Sequence, residues 1–135
     1  MKEAEDGDLI ESRKVLLAPG GFQMKIERRG KDFVVRVFNA ERVNRHKPSV
    51  EVLFNSVAKE VGAGALGVIL TGMGDDGAAG LLNMRQRGAL TIAQDEATCV
   101  VFGMPGAAVQ LGAAQKILPL TQITTELAKY RKDAK

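Results

Sequence analysis

Ala65-Leu66-Gly67-Val68-Ile69-Leu70-Thr71-Gly72-Met73-Gly74-Asp75-Asp76-Gly77-Ala78-Ala79-Gly80-Leu81-Leu82 is the stretch on which the fold turns. Residues 65 to 71 form a short, almost unbroken apolar run, which reads as a strand buried on both faces. Gly72 to Gly77 break the run. Residues 77 to 87 then read as a helix with Ala78, Leu81 and Leu82 turned inward. Strand, glycine loop and helix in immediate succession are the unit from which parallel α/β sheets are built.

The same unit recurs on the C-terminal side. Residues 89 to 94 read as another strand, and a short helical piece is expected near residues 97 to 102. Pro105 opens a helix to about Leu111 that Gly112 ends, and Lys116 to Leu120 make a last strand. Thr121 is placed to cap a final helix with Ile123, Leu127 and Tyr130 on one face.

On the N-terminal side, Pro48 starts a helix at its first position, carrying Val50, Leu53, Phe54, Val57, Ala58 and Val61 at helical spacing, and Gly62 and Gly64 stop it. Residues 22 to 38 alternate apolar and polar around Arg29-Gly30-Lys31, with Phe22, Met24 and Ile26 on one run and Phe33, Val35 and Val37 on the other. This is a β-hairpin signal. Residues 14 to 18 read as a buried strand broken by Pro19-Gly20-Gly21. Residues 1 to 13 form a polar leader with no period and no sign of core. The order from residue 49 onward alternates helix and strand, so the fold class is α/β, doubly wound, with a mostly parallel sheet and helices on both sides.

Bulk properties exclude several functions. The 135 residues suit one domain, and a 45% apolar content suits a packed core. Five Phe, one Tyr and no Trp leave that core to Val, Leu, Ile, Ala and Met. The net charge of +3 is mild. Basic residues gather at Arg28, Arg29 and Lys31, at Arg42, Arg45 and Lys47, and towards the C-terminus, but acids and apolar residues interrupt them. They read as solvated surface, not as a nucleic-acid face. Cys99 is the only cysteine, so intrachain disulfides and cysteine metal clusters are excluded. The polar start is no signal peptide, and no apolar run approaches the roughly 20 residues of a membrane span. The expectation is a soluble, cytoplasmic chain without membrane insertion.

Gly72-Met73-Gly74-Asp75-Asp76-Gly77 spells G-x-G-x-x-G, and Asp95 and Glu96 follow the next strand about where a ribose-binding acid would lie. Electrostatics opposes a dinucleotide. A pyrophosphate at this helix N-terminus would meet Asp75 and Asp76, and one like-charge pair at about 4 Å costs about 1 kcal/mol even in water. A metal held by the two acids lacks a third ligand nearby. An ionised aspartate at a helix N-terminus is favoured, can orient an imidazole, and leaves loop N–H groups free for an oxyanion. The plain alternative is that Asp75 or Asp76 merely caps the helix.

Thr71-Gly72-Met73-Gly74-Asp75-Asp76-Gly77-Ala78-Ala79-Gly80 resembles the T-G-M-G-x-D-G-A-x-G signature of CheB-type chemotaxis protein-glutamate methylesterases. Four further segments agree in order. They are residues 3 to 8 (Glu-Ala-Glu-Asp-Gly-Asp), 17 to 21 (Leu-Ala-Pro-Gly-Gly), 45 to 54 (Arg-His-Lys-Pro-Ser-Val-Glu-Val-Leu-Phe) and 93 to 105 (Ala-Gln-Asp-Glu-Ala-Thr-Cys-Val-Val-Phe-Gly-Met-Pro). The resemblance implies a doubly wound α/β domain with a hairpin inserted after the Ala-Pro-Gly-Gly strand. It implies hydrolysis of glutamate methyl esters on chemoreceptors, and in many members deamidation of receptor glutamines, by a Ser-His-Asp triad under control of a phosphorylated receiver domain.

Carried over residue by residue, the resemblance makes Asp76 the triad aspartate, leaves Asp75 at the variable position, and gives the Met73 backbone N–H to the oxyanion hole. It implies no cofactor and no metal. The family's nucleophile and histidine motifs precede the Glu-Ala-Glu-Asp-Gly-Asp segment. Residues 1 to 135 are therefore expected to be the C-terminal portion of one catalytic domain, without a receiver domain and inactive alone. Its expected partners are chemoreceptors, the preceding part of the domain and a receiver domain, together with self-association through an exposed sheet edge. A non-catalytic receptor-binding module is the second expectation, and a dinucleotide binder the third. The single histidine, His46, completes a triad with Ser49 and Asp76 by composition only. Ser49 belongs to the start of a helix and not to a strained elbow. Ser12, in the leader, and Ser56, inside that helix, serve no better.

Overall fold

The computed structural model describes residues 1–133. Two short strands, β1 (Lys2–Glu3) and β2 (Leu16–Leu17), pair in parallel. Strands β3 (Gln23–Arg29) and β4 (Asp32–Phe38) form an antiparallel hairpin in which Gln23 faces Phe38 and Arg29 faces Asp32. Helix α1 (Val50–Glu60) follows, then a 3-10 turn over Gly62–Gly64. The remainder runs β5 (Leu66–Ile69), α2 (Ala78–Gln86), β6 (Leu90–Gln94), α3 (Gly103–Gln110), β7 (Lys116–Leu118) and α4 (Leu120–Asp133). Strands β5, β6 and β7 form one parallel sheet in that order.

Strand β6 lies at the centre of this sheet. Thr91, Ile92, Ala93 and Gln94 are all buried, which requires cover on both faces. Ala93 joins Leu81, Met84, Ala108 and Ala113 in the core beneath α2 and α3. Successive strand residues point oppositely. Ile92 therefore faces the other side, where α4 meets β6 and Ile123 is buried. Helix α1 packs on α2 through Phe54 and Ala58, and on the hairpin through Leu53 and Val61. It is the wall shared by two cores.

Several sequence expectations give way to local chemistry. The leader is not idle: Ala4 is buried with Met24, Ile26 and Val35. Its backbone runs along β4, with Gly7 N–H donating to Val35 O (2.8 Å), Val35 N–H to Asp8 O (2.9 Å) and Ile10 N–H to Phe33 O (2.9 Å). Strand β2 is shorter and wetter than a buried strand, since Val15 and Leu17 are half exposed. Phe22 is exposed, although Met24 and Ile26 are buried.

Pro48 precedes the cap of α1 and does not open the helix, because Ser49 takes the cap position. Residues 97 to 102 form no helix. The Asp95 carboxylate accepts from Thr98 N–H (3.0 Å) and Thr98 Oγ1–H (2.6 Å), a turn that competes with helical bonding. Helix α3 begins at Gly103, two residues before Pro105. Helix α4 begins at Leu120, so Thr121 sits inside it and does not cap it. Ile123 is buried there, whereas Leu127 is exposed. The C-terminal basic cluster extends into residues 134–135, which lie outside the described residues.

Candidate functional site

The loop after β5 is held from below by β6 and from the side by the segment ahead of α3. Gln94, buried at the end of β6, accepts from Thr71 N–H (2.8 Å) and donates to Thr98 O (2.8 Å). Thr71 Oγ1 donates to Val101 O (3.1 Å) and accepts from Val101 N–H (2.9 Å). Gly72 O accepts from Gly103 N–H (3.1 Å) and Met104 N–H (2.9 Å). This approach needs glycine at 103, because a Cβ there would lie 2.8 Å from both Gly72 O and Gly74 N. The loop is therefore rigid, though exposed. Met73 is 78% exposed, and its N–H has no backbone acceptor among the described residues. An unpaired N–H on a fixed loop is available to a developing oxyanion.

Asp76 is buried, at 3% exposure, and its carboxylate does not cap its own helix α2. It reaches across to the N-terminus of α1. Oδ1 accepts from Ser49 Oγ–H (2.7 Å) and Asn44 Nδ2 (3.1 Å), with Glu51 N–H at 3.4 Å, and Oδ2 accepts from Val50 N–H (2.7 Å). The first turn of α1 offers unpaired N–H groups and the positive end of its dipole, which together favour an ionised carboxylate. A carboxylate has about four acceptor sites. The three donors on Oδ1 fill that oxygen, while Oδ2 has a single donor and can accept one more N–H.

Gly77, at φ 91, lets the chain turn into α2 so close to α1 that a Cβ would sit 2.7 Å from Val50 Cγ1. Gly80 N–H donates to Glu51 Oε1 across the same contact. Asp75 takes no part in these bonds. It lines a neighbouring hollow of about 380 Å³ with Asn44, Glu51, Ala79 and Gln110.

The other candidates fall outside this arrangement. His46 is exposed, and its backbone, not its imidazole, pairs with Val43. Ser49 Oγ bonds directly to Asp76, with no imidazole between them, and also accepts from Glu51 N–H (3.2 Å) as the helix cap. Ser56 Oγ donates to Leu53 O (2.7 Å) and accepts from Ile26 N–H (2.8 Å), stitching α1 to β3. Asp95 is occupied by Thr98. Burial pushes the half-buried Cys99 thiol up, as suits a small apolar filler. Among the described residues, no group of three or more His, Cys, Asp or Glu could hold a metal ion, and no helix is long and apolar enough to cross a membrane.

Gln23 is a site residue that sequence reasoning missed. It is 1% exposed. Its Nε2 donates to Glu41 O (3.0 Å) and His46 O (3.1 Å), and its Oε1 accepts from Ser49 N–H (2.8 Å). It therefore fixes the cap residue that holds Asp76, and nothing local in the sequence marks it.

Comparisons with known proteins agree on one family. A family model described as CheB methylesterase matches residues 1–127. The chain is 55% identical over 129 residues to a protein of Rhodospirillum rubrum named protein-glutamate methylesterase/protein-glutamine glutaminase 2, covering 96% of this chain and 36% of that protein. It is 50% identical over 127 residues to the protein-glutamate methylesterase/protein-glutamine glutaminase of Escherichia coli K12, covering 94% of this chain and 36% of that one. The chain thus spans little more than a third of the length of these relatives. The crystal structure of the Thermotoga maritima CheB methylesterase catalytic domain superposes with a TM-score of 0.91 at 33% identity, covering 94% of this chain and 67% of that one.

Proposed function

The chain belongs to the CheB methylesterase family, and from that premise we propose that it forms part of a protein-glutamate methylesterase site in which Asp76 is the triad aspartate and the Met73 N–H serves the oxyanion. The observation that carries this is the Asp76 carboxylate: buried, held at a helix N-terminus, and with acceptor capacity left on Oδ2. The serine and histidine of the set come from polypeptide outside these residues. The serine Oγ attacks the ester carbonyl of a methylated glutamate while the histidine takes its proton and hands it to the departing methanol. Water then cleaves the acyl-enzyme to glutamate. Asp76 keeps the imidazole in the tautomer this requires and stabilises the imidazolium. The same steps with ammonia leaving would deamidate glutamine, the second activity in the relatives' names. The substrates on this reading are chemoreceptors, and a receiver domain governs the site.

The chain alone is expected to release no methanol from methylated receptor, acting at most as a binding module. A chimera is the sharper test. With this chain replacing the matching segment of the Rhodospirillum rubrum relative, methanol release is expected, and Asp76→Asn should lower kcat by about 10³ to 10⁴-fold by presenting the wrong hydrogen-bond partner to the imidazole. Full activity of the Asn variant would remove Asp76 from the triad.

A further inference from the structure

The Asp76 site is bordered by a loop whose charge and rigidity the chemistry above does not use. Residues 41–47, Glu41-Arg42-Val43-Asn44-Arg45-His46-Lys47, carry three permanent cations and one acid. Arg42 and Arg45 are exposed, and neither they nor Lys47 form an ion pair among the described residues.

A solvated basic loop needs no fixed shape, yet this one is pinned along its length. Val43 and His46 exchange backbone hydrogen bonds of 3.0 and 2.9 Å around a two-residue turn. Both residues of that turn are left-handed, Asn44 at φ 52 and Arg45 at φ 69. Asparagine visits that region readily, but an arginine there is uncommon and persists where its surroundings hold it. The surroundings do so here. The buried Gln23 amide grips the carbonyls of Glu41 and His46, Lys47 Nζ donates to Asn39 Oδ1 (2.6 Å), and Asn44 Nδ2 rests on Asp76 Oδ1. Arg45 is thereby held at a turn tip one residue from a side chain that touches the candidate catalytic carboxylate. Arg42 and Lys47 line an open hollow of about 500 Å³ beside it.

We propose that this pinned turn is a docking element for an acidic polypeptide, with Arg42, Arg45 and Lys47 engaging carboxylates that flank the ester attacked at the Asp76 site. The proposal rests on the esterase reading and adds the character of its substrate. Hydrolysis of each glutamate ester leaves a carboxylate, so a substrate segment with several such sites grows more acidic as it is processed. Arginine forks match carboxylates, and cations already held in place lose little conformational freedom on binding. Glu41 shares the hollow and opposes an acid there, but Arg42 and Lys47 outnumber it two to one, and Arg45 adds a third cation at the turn tip. Asp75 and Glu51 line the separate hollow that Asn44 borders and repel an acidic segment there, which makes the attraction directional.

The test is fluorescence anisotropy with the 135-residue chain and three labelled probes. The first is a helical peptide of glutamates interspersed with glutamate methyl esters. The second is the same peptide with glutamine for every free glutamate, and the third is a single-stranded oligonucleotide. The glutamate peptide should bind, and salt should weaken it. Together, Arg42→Ala and Arg45→Asn should weaken it about tenfold, as expected for losing two partly exposed ion pairs. Asn at 45 keeps the left-handed backbone, and Arg42→Ala alone should show part of the loss. Lys59→Ala, an exposed cation at the far end of α1, should change nothing. No binding, equal binding of the glutamine peptide, undiminished binding by the double variant, or tighter binding of the oligonucleotide would each overturn the proposal. Methanol release by the chimera is read separately. Hydrolysis without charge-dependent docking refutes the docking element alone, and docking without hydrolysis refutes the esterase reading alone.

Discussion

Asp76 draws donors from Ser49, Val50 and Glu51, the start of one helix, and from Asn44 in the turn before it. Removing the Ser49 hydroxyl takes away the shortest contact on Oδ1 and the cap of α1 together. Ser49→Ala is expected to destabilise the fold by about 1 to 3 kcal/mol, and Ser49→Thr, which keeps a hydroxyl, by much less. Urea unfolding midpoints would measure both, and equal losses from the two variants would mean that the hydroxyl is not what matters. The glycines around Asp75 and Asp76 marked a loop carrying two acids, but only the resemblance to the CheB-type signature singled out Asp76. Ser49 was legible as part of a helix start, though not as a partner of Asp76. Gln23 was invisible. Its partners lie 18, 23 and 26 residues away, and no periodicity reports a bond of that range.

Elements were legible where apolar spacing was strong and blurred where polar side chains replaced backbone partners. Strands β5 and β6 and helices α1 and α2 fall close to their expected places, since each is an apolar run or a helical stripe bounded by glycine. The leader was misread because it contributes one small buried residue, Ala4, and otherwise attaches through backbone and carboxylates. Asp6 is held below the usual carboxylate range by the Arg36 guanidinium and the Val37 N–H, and Asp8 by the Glu5 N–H and then Lys2. A carboxyl depressed in the fold stabilises it above its ordinary value of 3.8, and that contribution is lost as pH falls through the lower folded value. Acidification below 3.8 should therefore release the leader first. Amide exchange would show Gly7 and Ile10 losing protection while β6 keeps its own. Loss of both together would contradict this.

At the scale of the whole molecule, the helix–strand alternation after residue 49 sufficed to predict the parallel sheet. The β3–β4 hairpin was legible from its alternation around Arg29-Gly30-Lys31, whereas the pairing of the two-residue strands β1 and β2 was not. Strand β5 is an edge of the sheet among the described residues. A largely apolar hollow of about 470 Å³ opens between leader, hairpin and α1, lined by Ile10, Leu16, Met24, Phe33, Leu53 and Val57. An open edge and an apolar hollow both favour association. The melting temperature of the isolated chain is therefore expected to rise with protein concentration, as mass action requires when association stabilises the folded state. Sedimentation beside the melts would identify the species. A monomer with a concentration-independent melt would contradict it.

The grip of Gln23 also proofreads the hairpin. If β3 slipped by one residue, Met24 or Phe22 would arrive at the place of the amide, and neither has a group that can serve two carbonyls and an N–H. A slip of two would bring Lys25, which can donate to the carbonyls but leaves the Ser49 N–H without an acceptor. Misaligned pairings are rejected where the strand meets the helix cap, so the alignment of a surface ribbon and the placement of a buried acid are certified by the same three bonds.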